Sequence, residues 1–172
     1  MLSIGGKSDI YLTDAHGNNP KRLAQDHGNE ASPTWSADGK SIAFVSDRSG
    51  SPQIYVMSAD GSNVHRITFE GNYNTQPAWS PKGDRIAFNG RVEGRYQIFT
   101  IRPDGSGLAR LTSGAGDNQN PSWSQDGRYI AFSTTRTGAS KIFIVHANGF
   151  NPRPLSQAKG GELSPAWSRR LD

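Results

Sequence analysis

The chain has 172 residues, 33% of them apolar and 9% aromatic, with 19 basic and 15 acidic residues and a formal charge of +4. That length can bury a core as one domain, the small and dispersed positive excess argues against a nucleic-acid surface, and the absence of cysteine excludes disulfides and thiolate metal sites. No apolar run approaches the roughly 18 residues of a membrane span, and Met1-Leu2-Ser3-Ile4 is not signal-like, so if the protein is exported its signal is expected to lie outside this chain.

Taken from the start, Leu2-Ser3-Ile4 alternates as a strand, Gly5-Gly6-Lys7-Ser8 is a short loop, and Asp9 to Thr13 is the next strand. The turn His16-Gly17 leads to an outer strand at Lys21-Arg22-Leu23. The Gly-Gly-Lys-Ser run has the ending of a phosphate loop, but the first glycine of that motif would fall at Met1 and no helix follows.

From Pro33 the chain repeats itself. Pro33-Thr34-Trp35-Ser36 returns as Pro77-Ala78-Trp79-Ser80, Pro121-Ser122-Trp123-Ser124 and Pro165-Ala166-Trp167-Ser168, each 44 residues after the last, and all four tryptophans share one repeat position. A fixed period of this size marks a stacked or ringed architecture. Within one unit, Ser32 precedes a proline and is expected in extended geometry. Thr34 to Ser36 make a first strand, Asp38-Gly39 a tight turn, and Ser41 to Val45 a second strand apolar enough to be packed on both faces. Gln53 to Met57 make a third strand, Ala59-Asp60-Gly61-Ser62 a turn, and Val64 to Thr68 a fourth, outer strand. The 20 glycines and 10 prolines suit a fold of many tight turns. Four short strands in such a period describe a propeller blade. The tryptophans are expected to fill the wedge between blades, so that Trp79→Ala costs about 3 to 5 kcal/mol. Arg66 and Arg110 are expected as solvated charges on edge strands.

The fold expected is therefore an all-β propeller of four 44-residue, four-stranded blades. Three are whole, spanning about 33–76, 77–120 and 121–164, and the fourth is a composite of 1–32 with 165–172 drawn from both chain ends. The composite closes a ring within one chain, or between two chains that exchange end strands as a C2 homodimer, unless the chain is part of a longer propeller.

The run from Ser32 to Arg48, continued by Gln53 to Gly61 and by Arg66-Ile67-Thr68, resembles the PD40, or WD40-like, repeat of the TolB propeller family. The resemblance extends over essentially the whole chain. It implies a periplasmic, non-enzymatic protein-protein interaction module of the Tol-Pal envelope system, binding a Pal-like lipoprotein, with no cofactor and no membrane insertion. Related repeats occur in propellers of tricorn-type and prolyl-oligopeptidase-type peptidases. An accessory peptidase propeller or a glycoside-active one is accordingly the alternative.

Propeller sites gather on the loops at one end of the channel. Here those loops carry His27, Glu30, Asp47, Arg48, Tyr73, Asn74, Arg91, Glu93, Asn118, Arg136 and Glu162 as candidate partner-binding residues. Aromatic, arginine and amide side chains suit an interface. Glu30, Asn74, Asn118 and Glu162 occupy one repeat position and could ring a hard cation with oxygen ligands, although solvated loop residues that cap turns are the simpler reading. His16, His27, His65 and His146 occupy unlike repeat positions with no metal spacing, and there is no Gly-x-Ser-x-Gly elbow.

Overall fold

The computed structural model describes residues 2–4, 7–24, 28–155 and 161–168, and these residues form sixteen short strands and no helix. Three antiparallel four-stranded sheets follow one another. The first pairs β5 (Glu30–Trp35), β6 (Ser41–Ser46), β7 (Gln53–Ser58) and β8 (His65–Arg66) in chain order. The second pairs β9 (Asn74–Trp79), β10 (Ile86–Val92), β11 (Arg95–Ile101) and β12 (Ala109–Arg110) in the same way. The third pairs β13 (Asn118–Trp123), β14 (Tyr129–Thr134), β15 (Lys141–His146) and β16 (Arg153–Pro154). Ahead of them, β1 (Leu2–Ile4) pairs β2 (Lys7–Asp9) and β3 (Tyr11–Leu12) pairs β4 (Lys21–Arg22). The inner strands β5, β9 and β13 lie side by side, as the blades of a propeller require.

Burial of the middle strands on both faces holds consecutive blades together. Ile42, Phe44, Tyr55 and Met57 face back onto Ile10, Leu23 and Ala24 of the preceding sheet. Ala43, Val45, Ile54 and Val56 face forward onto Ile86, Phe88 and Ile101. The next seam repeats the arrangement, with Ala87, Ile98 and Leu111 against Trp123, Ile130 and Phe132. Alternation puts successive residues of one strand on opposite faces, so the near-continuous Ser-Ile-Ala-Phe-Val run is what a strand between two seams needs.

The repeated Ser-x-Asp-Gly run is a self-bonded turn. Ser36 Oγ donates to Asp38 Oδ1 (2.6 Å), Lys40 N donates to the same oxygen (3.1 Å), Ser41 N donates to Ser36 Oγ (2.9 Å), and Gly39 takes a positive φ of 69°. Ser124, Asp126 and Tyr129 repeat the bonds in the third blade. In the second blade the acid moves along, and Ser80 Oγ donates to Asp84 Oδ1 (2.9 Å).

Several expectations change. The inner strands are longer than Thr34–Ser36, because Glu30, Asn74 and Asn118 already pair, and the outer strands are shorter, with β8 only His65–Arg66. Ser32 is not extended. It lies at φ 53°, as do Gln76 at 53°, Asn120 at 57° and Ser164 at 53°. In β5, β9 and β13 the ladder shifts register at this point. A bulge residue in the left-handed region avoids the right-handed helical region that a following proline disfavours, and it turns the strand inward. The four Pro-preceding residues meet at one cleft of about 230 Å³.

At the N-terminal blade, Lys7 and Ser8 belong to β2, with Lys7 opposite Ile4, rather than to a four-residue loop; Gly5 and Gly6 lie outside the described residues. The described tail, 161–168, forms no strand. It packs on the third blade, where Ser140 Oγ donates to Glu162 O (2.7 Å) and Trp167 Nε1 donates to Ser122 O (2.9 Å).

The tryptophans are not uniformly core. Trp123 is 8% exposed and its Nε1 donates to Ala78 O of the preceding inner strand (2.9 Å), and Trp79 is half-buried. Trp35 and Trp167 are 46% and 38% exposed. The position lies at the end of the inner strand, so its burial depends on what flanks it on each side. Trp123→Ala is expected to cost about 3 to 5 kcal/mol and Trp35→Ala under about 1.5 kcal/mol. Equal losses in urea titrations of the two variants would show that exposure does not govern this position.

Candidate functional site

Glu30, Asn74 and Asn118 open the inner strands but do not ring the channel, being 0%, 3% and 0% exposed at the blade seams. Asn74 Nδ2 donates to Gln53 Oε1 (2.8 Å) and to Glu70 O (2.9 Å), and Thr68 Oγ1 donates to the same Gln53 oxygen (2.7 Å). One seam later Asn118 Nδ2 and Thr112 Oγ1 both donate to Gln97 Oε1 (2.9 and 2.8 Å). Glu162 keeps the position with a carboxylate that accepts from Ile142 N (3.1 Å). These side chains join blades. Among the described residues no group of three or more histidine or acidic side chains is placed to hold a metal ion.

The arginine of each Arg-x-Thr run belongs to the same frame. Arg66 and Arg110 donate from Nε to Thr68 O and Thr112 O, and the threonines accept from Ile54 N (3.0 Å) and Ile98 N (2.9 Å). They clamp the end of the outer strand, a more specific role than a solvated edge charge.

Arg48 and Arg136 also turn inward. Arg48 pairs with Glu30 and Arg136 Nη2 donates to Asn118 Oδ1 (2.9 Å). Burial holds the Arg136 guanidinium below the usual arginine value. Asp47 is taken up locally, accepting from Asn29 N (2.6 Å) and Asn29 Nδ2 (2.8 Å). His27 lies outside the described residues.

Of the predicted residues, Arg91 and Glu93 are exposed and Tyr73 is half-buried beside them, at the loop end of the seam between the first two complete blades. Arg91 N donates to Tyr73 O (3.0 Å). The Tyr73 ring meets Tyr96 edge-on at 5.8 Å between centres, and the Arg91 guanidinium lies 6.0 Å from the Tyr96 ring centre. Tyr96 N is fixed by Asp117 Oδ1 (2.8 Å), and burial pushes its phenol up. Phe69, 72% exposed, lies under the Arg66 guanidinium at 5.1 Å and shares a cleft with Arg91. Tyr96 and Phe69 were not expected at a site. Their signal was departure from the repeat, since the positions of Phe69 elsewhere hold Ser113 and Gln157, and those of Tyr96 hold Pro52 and Ser140.

At the opposite end of the inner strands all four tryptophans line one opening of about 340 Å³, with Thr34, Ser124 and Gln125 among its other walls.

A family model described as the TolB beta propeller domain (PD40) matches residues 1–171. The chain belongs to this family. Its similarity to the Tol-Pal system protein TolB of Desulfosudis oleivorans is 44% identity over 53 residues, covering 30% of this chain and 12% of that protein. Against the Tol-Pal system protein TolB of Helicobacter pylori it is 41% over 51 residues, again 30% and 12% of the two chains. The crystal structure of TolB from Acinetobacter baumannii superposes with a TM-score of 0.83 at 30% identity, covering 96% of this chain and 41% of that one. The chain thus spans less than half of that TolB structure, and the curated matches extend over about an eighth of each relative.

Within this PD40 propeller the N-terminal seam replaces neutral amides with acids. Asp9 takes the place of Gln53 and accepts from Arg22 Nη2 (2.6 Å), while Glu30 takes the place of Asn74. Burial raises the Glu30 carboxyl above its ordinary 4.5, opposed by Arg48 and the Ile10 amide and reinforced by Asp9. The folded chain therefore binds this proton more tightly than the unfolded chain, and the Glu30 contribution to stability falls as pH rises through and above the ordinary carboxylate range. Glu30→Gln keeps an acceptor for Arg48 and removes the titration. Its melting temperature relative to the parent is expected to climb from about pH 4 to about pH 8, and a constant offset across that range would refute the assignment.

Proposed function

We propose that this propeller is a non-enzymatic docking module that presents its loop end to a protein partner, a Pal-like lipoprotein, in the periplasm. The observation that carries the reading is the cluster of Phe69, Tyr73, Tyr96 and Arg91 gathered at one seam. Tyrosine and arginine, with tryptophan, are the residue types that most often carry binding energy at interfaces, and phenylalanine is enriched there. These four do not recur in the other blades, so the repeat itself gives no structural reason for them. Kinship with Tol-Pal system proteins supports a partner of the same system.

Titration calorimetry with the purified soluble domain of the Pal-type lipoprotein tests this. Phe69→Ser and Tyr96→Ala are each expected to weaken binding by about tenfold or more, and Trp35→Ala, at the other end, to leave it unchanged. The opposite pattern would move the docking surface to the tryptophan opening.

For assembly, we propose that an inner strand with the sequence of the tail completes the N-terminal blade. Trp123 and Trp167 each donate to a carbonyl of the preceding inner strand, Ala78 O and Ser122 O (2.9 Å in both). Trp35 Nε1 donates to no group among the described residues, and the repeat places Ala166 where that carbonyl is needed. Light scattering distinguishes the two routes to such a blade, with a doubled mass for exchange between two copies and a single mass for closure within one.

A further inference from the structure

The first and third complete blades each seal their loop end with a guanidinium laid over a pair of rings. Arg48 donates from Nε to Ser46 Oγ (3.0 Å) and pairs with Glu30, and its Cζ lies 5.6 and 4.9 Å from the centres of Phe44 and Tyr55. Arg136 does the same 88 residues later, donating to Thr134 Oγ1 (3.1 Å) and Asn118 Oδ1 (2.9 Å), with Cζ 5.7 and 4.9 Å from Phe132 and Phe143.

The blade between them keeps the receptor and lacks the arginine. Phe88 and Phe99 supply the ring pair and Asn74 the acceptor, but Val92 stands where the arginine would be and Gly90 where the hydroxyl would be. A cleft of about 270 Å³ opens at this point, lined by these five residues, with Glu70 also on its wall. Asn74 Oδ1, the counterpart of the oxygen that Arg136 occupies on Asn118, accepts no hydrogen bond among the described residues, although both bonds of its Nδ2 are made. The rings respond to Gly90. A Cβ there would come within 2.8 Å of Phe99, and without it Phe88 and Phe99 stack at 20°, flatter than the 30° and 46° of the filled blades.

We infer that this cleft is a socket for an arginine side chain presented by a polypeptide partner. The guanidinium stacks on Phe88 and Phe99 and donates to Asn74 Oδ1, and Glu70 supplies the negative charge that Glu30 supplies to Arg48. A planar fork of donors suits a flat ring platform beside one acceptor; the compact ammonium of lysine does not. An aliphatic side chain would leave Asn74 Oδ1 desolvated and unpaired. Two arginines at the mouth are already engaged, Arg91 with Gly94 O (3.4 Å) and the Tyr96 ring, and Arg110 with Thr112 O (2.7 Å). Arg66, the counterpart of Arg110, shares its blade with Arg48, so the frame accommodates a second guanidinium.

The inference rests on the loop-end reading and sharpens it, and its test reads the socket separately. N-acetyl-arginine methylamide is titrated into the full chain while the Asn74 side-chain amide and the Val92 backbone amide are followed by NMR, with the lysine and citrulline analogues as comparisons. Saturable shifts at both groups are expected with the arginine compound, and affinity about tenfold weaker or worse with the other two. Val92→Arg fills the socket with the chain's own guanidinium and is expected to abolish the shifts. Glu70→Gln, at an exposed position, is expected to weaken binding several-fold without disturbing the fold. No saturable shift, equal response to citrulline, or undiminished binding in both variants would overturn the socket. If the probe fails while Phe69→Ser still loses the lipoprotein, the socket falls and the loop-end reading stands. If Val92→Arg abolishes probe binding, the socket is supported whatever the lipoprotein measurement returns.

Discussion

The buried three-way bond at Gln53 sets the geometry on which the rest of the molecule depends. Its carbonyl oxygen accepts from Thr68 within its own blade and from Asn74 of the next, and Gln97 does the same with Thr112 and Asn118. Apolar burial at the seams supplies most of the attraction, but it is nearly indifferent to small rotations of one sheet on another. A desolvated amide is not indifferent, since losing a partner there costs about 1–3 kcal/mol. The polar joint therefore fixes how far each blade turns from its neighbour. That angle places the loops at one end and the tryptophans at the other.

The joint also shows what kind of residue could be understood from sequence alone. The 44-residue period, the four strands of a blade and the Ser-x-Asp-Gly turns follow from patterns that recur, and recurrence is what a repeated fold needs. Glu30, Asn74 and Asn118 recur too. Reading them as channel-facing loop residues failed because Asn74 and Asn118 pair with glutamines 21 residues upstream and Glu30 pairs with Arg48 downstream, contacts that no local pattern announces. The bulge at Ser32 was hidden for a similar reason: the rule for a residue before proline favours extended geometry, and the register shift that overrides it is set by pairing with the next strand. The tryptophans share one sequence context and differ in burial because their contacts differ: Trp123 packs on Ala87 and Ile98 and donates to Ala78 O of the preceding blade, whereas Trp79 donates to Gly83 O of its own.

The proposed docking surface draws on the complementary set, the positions where one blade departs from the others. Phe69, Tyr73, Gly90, Arg91, Val92 and Tyr96 all differ from their counterparts 44 residues away, and all lie at the loop end of one seam. The outer joints carry charge in place of amides, through Asp9 and Glu30 at one side and Glu162 at the other, whereas the seam bearing the aromatic cluster keeps the neutral Gln-Thr-Asn set.

The gathering of every indole at the end remote from those exceptions has a spectroscopic consequence. All four indoles line one small volume, so tryptophan emission is a local gauge of how the inner strands are splayed. A ligand seated at the far rim alters that signal only by changing the spacing of the blades.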